Sequence, residues 1–143
     1  MDIQDLKEHD GVETYFYVTT AWNCNKIAEH ARKVGKVDLI GRPMGDHEEI
    51  RQGAEWSEYS GWGQGVAYGT DFYNRDNCWE YAGQDRHTGA MFVLGWNGAD
   101  KEAEDEGGEY VVPLDAYDVI AVVSLDENDE EIVHDPMEWA NGR

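Results

Sequence analysis

The run DVIAVVSL at residues 118–125 is the most apolar stretch of the chain, and it leads directly into DEND at 126–129 and EEIVH at 130–134. β-Branched residues line both flanks, and three of the four residues between them, Asp126, Asn128 and Asp129, are turn formers. The stretch is therefore predicted to be an antiparallel hairpin, with 118–125 as a central strand. One hairpin cannot bury an apolar face by itself, so further strands have to join it. Five segments have the composition: VETYFYVTT (12–20), VAYGTDFY (66–73), CWEYA (78–82), AMFVLGW (90–96) and YVVPL (110–114). NRDN (74–77) reads as a turn, and YVVPL as an edge strand because Pro113 cannot donate to a ladder.

Two segments carry the helical period instead. In NKIAEHARKVG (25–35), Ile27, Ala28, Ala31 and Val34 fall on one face, Asn23 or Asn25 can cap the start, and Gly35 can end it. DHEEIRQ (46–52) opens like a capping box and is cut short by Gly53. The polar, glycine-flanked NGADKEAEDEGGE (97–109) is expected to be a surface loop. Together these predict a single acidic domain over residues 1–143 of class α+β: an antiparallel sheet of five to seven strands with one or two helices on one face.

Charge narrows the function. Asp and Glu number 31 against 11 Lys and Arg, a net charge of −20. The excess is uneven, since residues 99–143 hold 15 acids and 2 bases while residues 1–65 hold 12 and 7. Lys26, Arg32, Lys33, Lys36 and Arg42 form the one basic cluster and suggest a polarised molecule. Such a chain repels nucleic acid and anionic membrane and is steered toward basic protein surfaces. No apolar run approaches the ~20 residues of a membrane helix, and the acidic start MDIQDLKEHDG lacks the apolar core of a signal peptide. A cytoplasmic protein is expected, in the host cytoplasm if a phage encodes it.

Motifs of catalysis are missing. A calcium loop counted from Asp126 puts Glu131 where a glycine turn is needed and Met137 where a bidentate Glu is needed. Carboxylate pairs for glycoside hydrolysis are too many to be informative. His9, His30, His47, His87 and His134 show no metal-ligand spacing, and SGWGQG (60–65) has no phosphate-loop lysine. Cys24 and Cys78 form no C-x-x-C pair and read as free thiols. No catalytic residue, metal or cofactor is expected.

What remains is the acidic surface. Alternate residues on a strand stand ~6.7 Å apart on one face, and duplex DNA carries one phosphate per ~3.4 Å on each strand. Asp126, Glu127, Asp129, Glu130, Glu131, Asp135 and Glu138, flanked by Asp100, Glu102, Glu104, Asp105, Glu106 and Glu109, are thus expected to imitate a phosphate track and bind a partner. With DKEAEDEGGE and DENDEEIVHD on an acidic, Trp- and Tyr-bearing chain, the protein resembles the DNA-mimic anti-restriction and anti-CRISPR proteins of phages and mobile elements. Those proteins share no fold, so no residue role is carried over. The resemblance implies an inhibitor whose partner is the basic DNA- or RNA-binding groove of a nucleic-acid-handling host complex. Two other readings compete. One is salt adaptation, which spreads acidity over the whole surface. The other is a carbohydrate-active protein, which would line a pocket with Trp56, Trp62, Trp79 or Trp96.

Overall fold

The computed structural model describes residues 1–39 and 66–143. Among the described residues nine strands and three α-helices occur in the order β1 (Glu8–His9), β2 (Val12–Glu13), β3 (Tyr15–Val18), α1 (Ala21–Val34), β4 (Val66–Gly69), α2 (Asp76–Ala82), β5 (Met91–Trp96), β6 (Glu104–Asp105), β7 (Tyr110–Pro113), β8 (Tyr117–Leu125), β9 (Glu131–His134) and α3 (Pro136–Gly142). The class is α+β with antiparallel sheets, as the alternating runs predicted. A four-stranded sheet runs β3-β5-β8-β9, a three-stranded one runs β4-β7-β6, and β1-β2 is a small hairpin. Phe16 and Thr70 exchange backbone hydrogen bonds of 2.8 and 2.9 Å, which join β3 to the end of β4 and hold the two sheets edge to edge.

The central sheet is buried on both faces. Tyr15, Tyr17, Phe92, Leu94 and Val122 point to one side, where they meet Cys24, Ile27, Ala28 and Ala31 of α1 and Trp139 and Ala140 of α3. Phe16, Met91, Val93, Ala121 and Val123 point to the other, against Leu6, Phe72, Cys78 and Trp79. Period-two alternation along β3, β5 and β8 thus feeds two cores. A β-bulge between Val93 and Leu94 preserves this arrangement: Val93 pairs with Ala121 but Leu94 with Val119, so Ile120 is the extra residue. Ile120 packs with the second core while Val119 and Tyr117 stay on the first. Gly95 makes room for the bulge, because a Cβ there would lie 2.9 Å from Ile120 Cγ2 and from the His9 ring.

Several local expectations change. Residues 78–82 belong to α2, not to a strand, and α2 covers the face opposite α1 and α3. Adjacent Cys78 and Trp79 are both buried, whereas Tyr81 is left 80% exposed, a helical rather than an alternating pattern. NRDN is not a free turn either, since Asp71 caps a 3-10 turn at Phe72–Asn74 that runs on into α2. α1 begins four residues early, capped by Thr20, whose Oγ1 accepts from the Asn23 amide at 3.2 Å; Gly35 ends it at φ 80° as expected. β7 lies between β4 and β6 rather than at an edge, but β6 reaches only Tyr110 and Val111, so Pro113 is spared a ladder bond on that side. Within 97–109, Glu104–Asp105 form β6. The helix expected at 46–52 and the aromatic segment 54–65 lie outside the described residues.

α3 was not foreseen. Asp135 caps it by accepting from the amides of Met137 and Glu138 at 3.2 Å, and Pro136 sits at its first position. The helix carries Trp139 into the core, where its ring meets Phe92 edge-on at 5.4 Å.

Candidate functional site

The thirteen carboxylates predicted to form one track divide into two groups with different roles. Asp126, Glu127, Asp129, Glu130 and Glu131 stand at the far end of β8, at and beyond Leu125, whereas β9 runs back until His134 pairs with Val122, so that Asp135 and Glu138 follow beside the middle of the strand. The 100–109 arm adjoins its near end, where the Ala103 amide donates to the Tyr117 hydroxyl at 3.1 Å. Eight residue steps along the strand separate the two ends, about 25 Å. The groups are therefore not a continuous track along β8.

Within the 126–138 group, four of the seven carboxylates have internal duties. One oxygen of Asp126 accepts from the amides of Asn128 (2.8 Å) and Glu130 (2.9 Å), which closes the hairpin turn. Asp129 takes the left-handed conformation at φ 59° and reaches Arg86 (3.5 Å) and His87 (3.1 Å) on the loop before β5. Glu131 is bound by Arg75 through three nitrogen–oxygen contacts of 3.0–3.2 Å and by the Trp79 indole N–H at 3.2 Å. Asp135 is the α3 cap. Glu127, Glu130 and Glu138 remain exposed with no such partner among the described residues.

The arm at the near end is different. Asp100, Glu102, Glu104, Asp105, Glu106 and Glu109 are all exposed, and among the described residues none pairs with a Lys or Arg. Lys101, in their midst, is drawn away by Asp115 at 2.7 Å, and its hydrogen bond lowers the Asp115 carboxyl below the usual range. Asp105 accepts from the Gly108 amide at 3.0 Å to shape the β6–β7 turn.

The neighbours of this arm come from elsewhere in the chain. Tyr15, Tyr110 and Tyr117 stand together, with the Tyr15 ring 4.7 Å from Tyr110 and 5.8 Å from Tyr117. Asp105 is paired across the ladder with Tyr110, and the Tyr15 hydroxyl donates to Glu13 of β2 at 3.4 Å. Burial, then Glu13, Asp71 and Asp105, raise the Tyr110 hydroxyl above its ordinary value. Burial first and then Glu13 do the same to Tyr15. Glu102 and Glu13 add to the effect of burial on Tyr117, against the opposing Ala103 hydrogen bond. The acidic arm thus continues onto Glu13 and Asp71 at the β1–β2 end of the molecule. The contact is non-local, so nothing in the spacing of these residues announces it.

The basic residues offer no counterweight. Lys26 and Lys33 flank Glu29, Lys36 pairs with Asp118, and Arg75, Arg86 and Lys101 pair as above. Arg32 donates to the Ala140 carbonyl at 2.7 Å, and Arg143 to Asn25, Ala21 and Thr88. Lys7 lies over the Phe72 ring. All nine described Lys and Arg side chains are thus engaged within the fold. The described part of the expected basic patch, Lys26, Arg32, Lys33 and Lys36, consists of helix ion pairs, one α3-capping bond and one ion pair to β8.

Among the described residues no group of three or more His, Cys, Asp or Glu side chains is placed to hold a metal ion, and no helix is long and apolar enough to cross a membrane. The Trp79 indole is buried on Glu131 and the Trp96 indole donates to the Ala99 and Lys101 carbonyls at 3.0 Å, so both are spent on the fold. Trp56 and Trp62 lie outside the described residues. Compared with protein-family models, curated proteins and solved structures, the chain shows no match.

Proposed function

We propose that the protein is an acidic protein-binding inhibitor that presents carboxylates to the basic DNA- or RNA-binding groove of a nucleic-acid-handling complex of the host-defence type. The observation that carries this reading is the 100–109 arm, with its six exposed carboxylates unpaired among the described residues while every described cation is engaged. An electrostatic contact of this kind draws its strength from releasing counterions on both surfaces. The binding surface is the arm with Glu13 and Asp71. The 126–138 group contributes through Glu127, Glu130 and Glu138 and otherwise serves the fold.

The test begins with capture of the partner from host lysate and its identification by mass spectrometry. Affinity should then fall by about 10³-fold between about 50 and 200 mM salt, as for a protein with six or more phosphate contacts. Nucleic acid should compete. The combined Glu102→Gln, Glu104→Gln, Glu106→Gln and Glu109→Gln variant should lose most of the binding, and Lys26→Ala with Lys33→Ala should lose little. Binding that is indifferent to salt and to nucleic acid would overturn the proposal.

A further inference from the structure

A groove of about 740 Å³ opens between the N-terminal 3-10 turn, the β1–β2 hairpin and the 3-10 turn at Phe72–Asn74. We propose that it is a subsite for an arginine side chain of the protein partner, with the guanidinium lying on Tyr73 and pairing with Glu8 and Glu13. The inference rests on the acidic-interface reading above and names a specific anchor within it.

Four observations converge on this occupant. Asp5, Glu8 and Glu13 line the groove against a single cation, Lys7. The Lys7 ammonium lies 5.7 Å over the Phe72 ring, and among the described residues neither it nor Asp5, Glu8 or Glu13 makes an ion pair. Glu8 and Glu13 are also direct cross-strand partners in the two-stranded hairpin. Like charges in that position repel, and a cation bound between them removes the repulsion.

The third observation is Tyr73. Its ring stands edge-on to Phe72 at 5.3 Å and is 77% exposed, a large aromatic surface left in water beside carboxylates. A flat guanidinium can stack on such a ring and still present its fork to a carboxylate, which an ammonium cannot do as well. The fourth is a precedent inside the molecule. Arg75 lies 4.1 Å over the Phe72 ring while it grips Glu131 with two nitrogens, so this protein already combines an aromatic ring and a carboxylate around a guanidinium. The groove is in the size range that takes more than one side chain, which suits an extended segment anchored by its arginine. Glu13 links the groove to the Tyr15–Tyr110 cluster and so to the acidic arm.

The experiment is an amide NMR titration of the full chain with acetylated hexa-arginine and, separately, hexa-lysine. The arginine peptide should shift Gly11, Glu13 and Tyr73 and bind more tightly there than the lysine peptide. Tyr73→Ala should weaken it about threefold or more, from the loss of one exposed cation–aromatic contact. Glu8→Gln with Glu13→Gln should weaken it further and serves as the second variant should Tyr73→Ala perturb the spectrum elsewhere. Equal affinity for both peptides, or no effect of either variant, would overturn the subsite. Shifts confined to residues 102–109 would overturn the subsite and leave the acidic interface standing. Shifts confined to the groove would overturn the arm as the interface and leave the subsite. Silence at both would sink both.

Discussion

Arg75 and Glu131, 56 residues apart in the chain, close on each other through nitrogen–oxygen contacts of 3.0–3.2 Å, each with a side chain only 17% exposed. The pair ties the start of α2 to the edge strand β9, and the Trp79 indole adds a third donor to the same carboxylate. Glu131 is therefore a structural carboxylate. Glu131→Ala should cost about 2 kcal/mol, since it strands a largely buried guanidinium and an indole N–H. Arg75→Met combined with Glu131→Ala should cost less than the two single changes added together. Denaturant unfolding of the four proteins in the cycle gives the coupling. Glu127→Gln and Glu130→Gln, at exposed positions, should move stability by no more than ~0.5 kcal/mol.

Asp126 and Asp135 contribute an acceptor oxygen rather than a charge. Each carboxylate takes two backbone amides, Asp126 within the β8–β9 turn and Asp135 at the start of α3. Asn offers the same acceptor, so Asp126→Asn should be nearly neutral, while Asp126→Ala and Asp135→Ala should each cost about 1 kcal/mol. Thermal melts of the three variants would decide it. An Asp126→Asn protein as damaged as Asp126→Ala would mean that the charge itself holds the turn.

The same residues mark what a reader of the sequence can and cannot see. The strands at 90–96 and 118–125 are legible because a continuous apolar run bounded by turn residues reads as a buried strand. The α1 face is legible from its helical period, and only the cap differs, since Thr20 stands where Asn23 or Asn25 was expected. CWEYA was misread because five residues with two aromatics fit either period, and only the burial of Cys78 beside Trp79 separates them. α3 did leave a local signal in Asp135–Pro136–Met137–Glu138, a capping residue followed by proline and an acid in the first turn. The division of the carboxylates into structural and free was not legible, because Arg75 to Glu131 and Glu13 to the Tyr110 cluster are contacts between distant parts of the chain.

Cys24 and Cys78 stand in the two different cores, one on each face of the central sheet. Burial pushes both thiols up to about 11, against the lowering effect of Arg143 on Cys24 and of the Thr70 hydrogen bond on Cys78. At pH 8 the reactive thiolate is then only about 0.1% of each, compared with a far larger fraction in an unfolded chain. A thiol reagent should therefore titrate neither cysteine in the native protein and both after denaturation. The linkage has a definite sign. Between the ordinary thiol value near 9 and the folded value near 11, the folded state holds protons that the unfolded state has lost. Stability should thus fall as pH rises through that window, by up to about 1.4 kcal/mol per pH unit for each thiol. Tyr15 and Tyr117, raised mainly by burial, extend the loss above pH 10. Rapid labelling of either thiol at pH 8 without unfolding would contradict the packing of that core.

Salt separates a binding surface from an adapted one. A net charge of −20 on 143 residues repels itself, and screening should raise the melting temperature as salt is added. The question is whether the fold needs that help. A central sheet sealed on both faces by Phe16, Phe92, Val93, Leu94, Val122 and Val123 supplies apolar burial that does not depend on screening. A chain adapted to salt should lose its circular dichroism signal well below about 1 M salt, where excluded ions no longer reinforce burial. This protein should stay folded at about 50 mM salt, with a single cooperative melt that moves upward by only a few degrees on screening. Unfolding at low salt would transfer the explanation of the acidic arm from recognition to solvation. A folded protein would leave the 100–109 carboxylates as repulsion that the fold does not require, which is the condition the proposed binding to a basic partner needs.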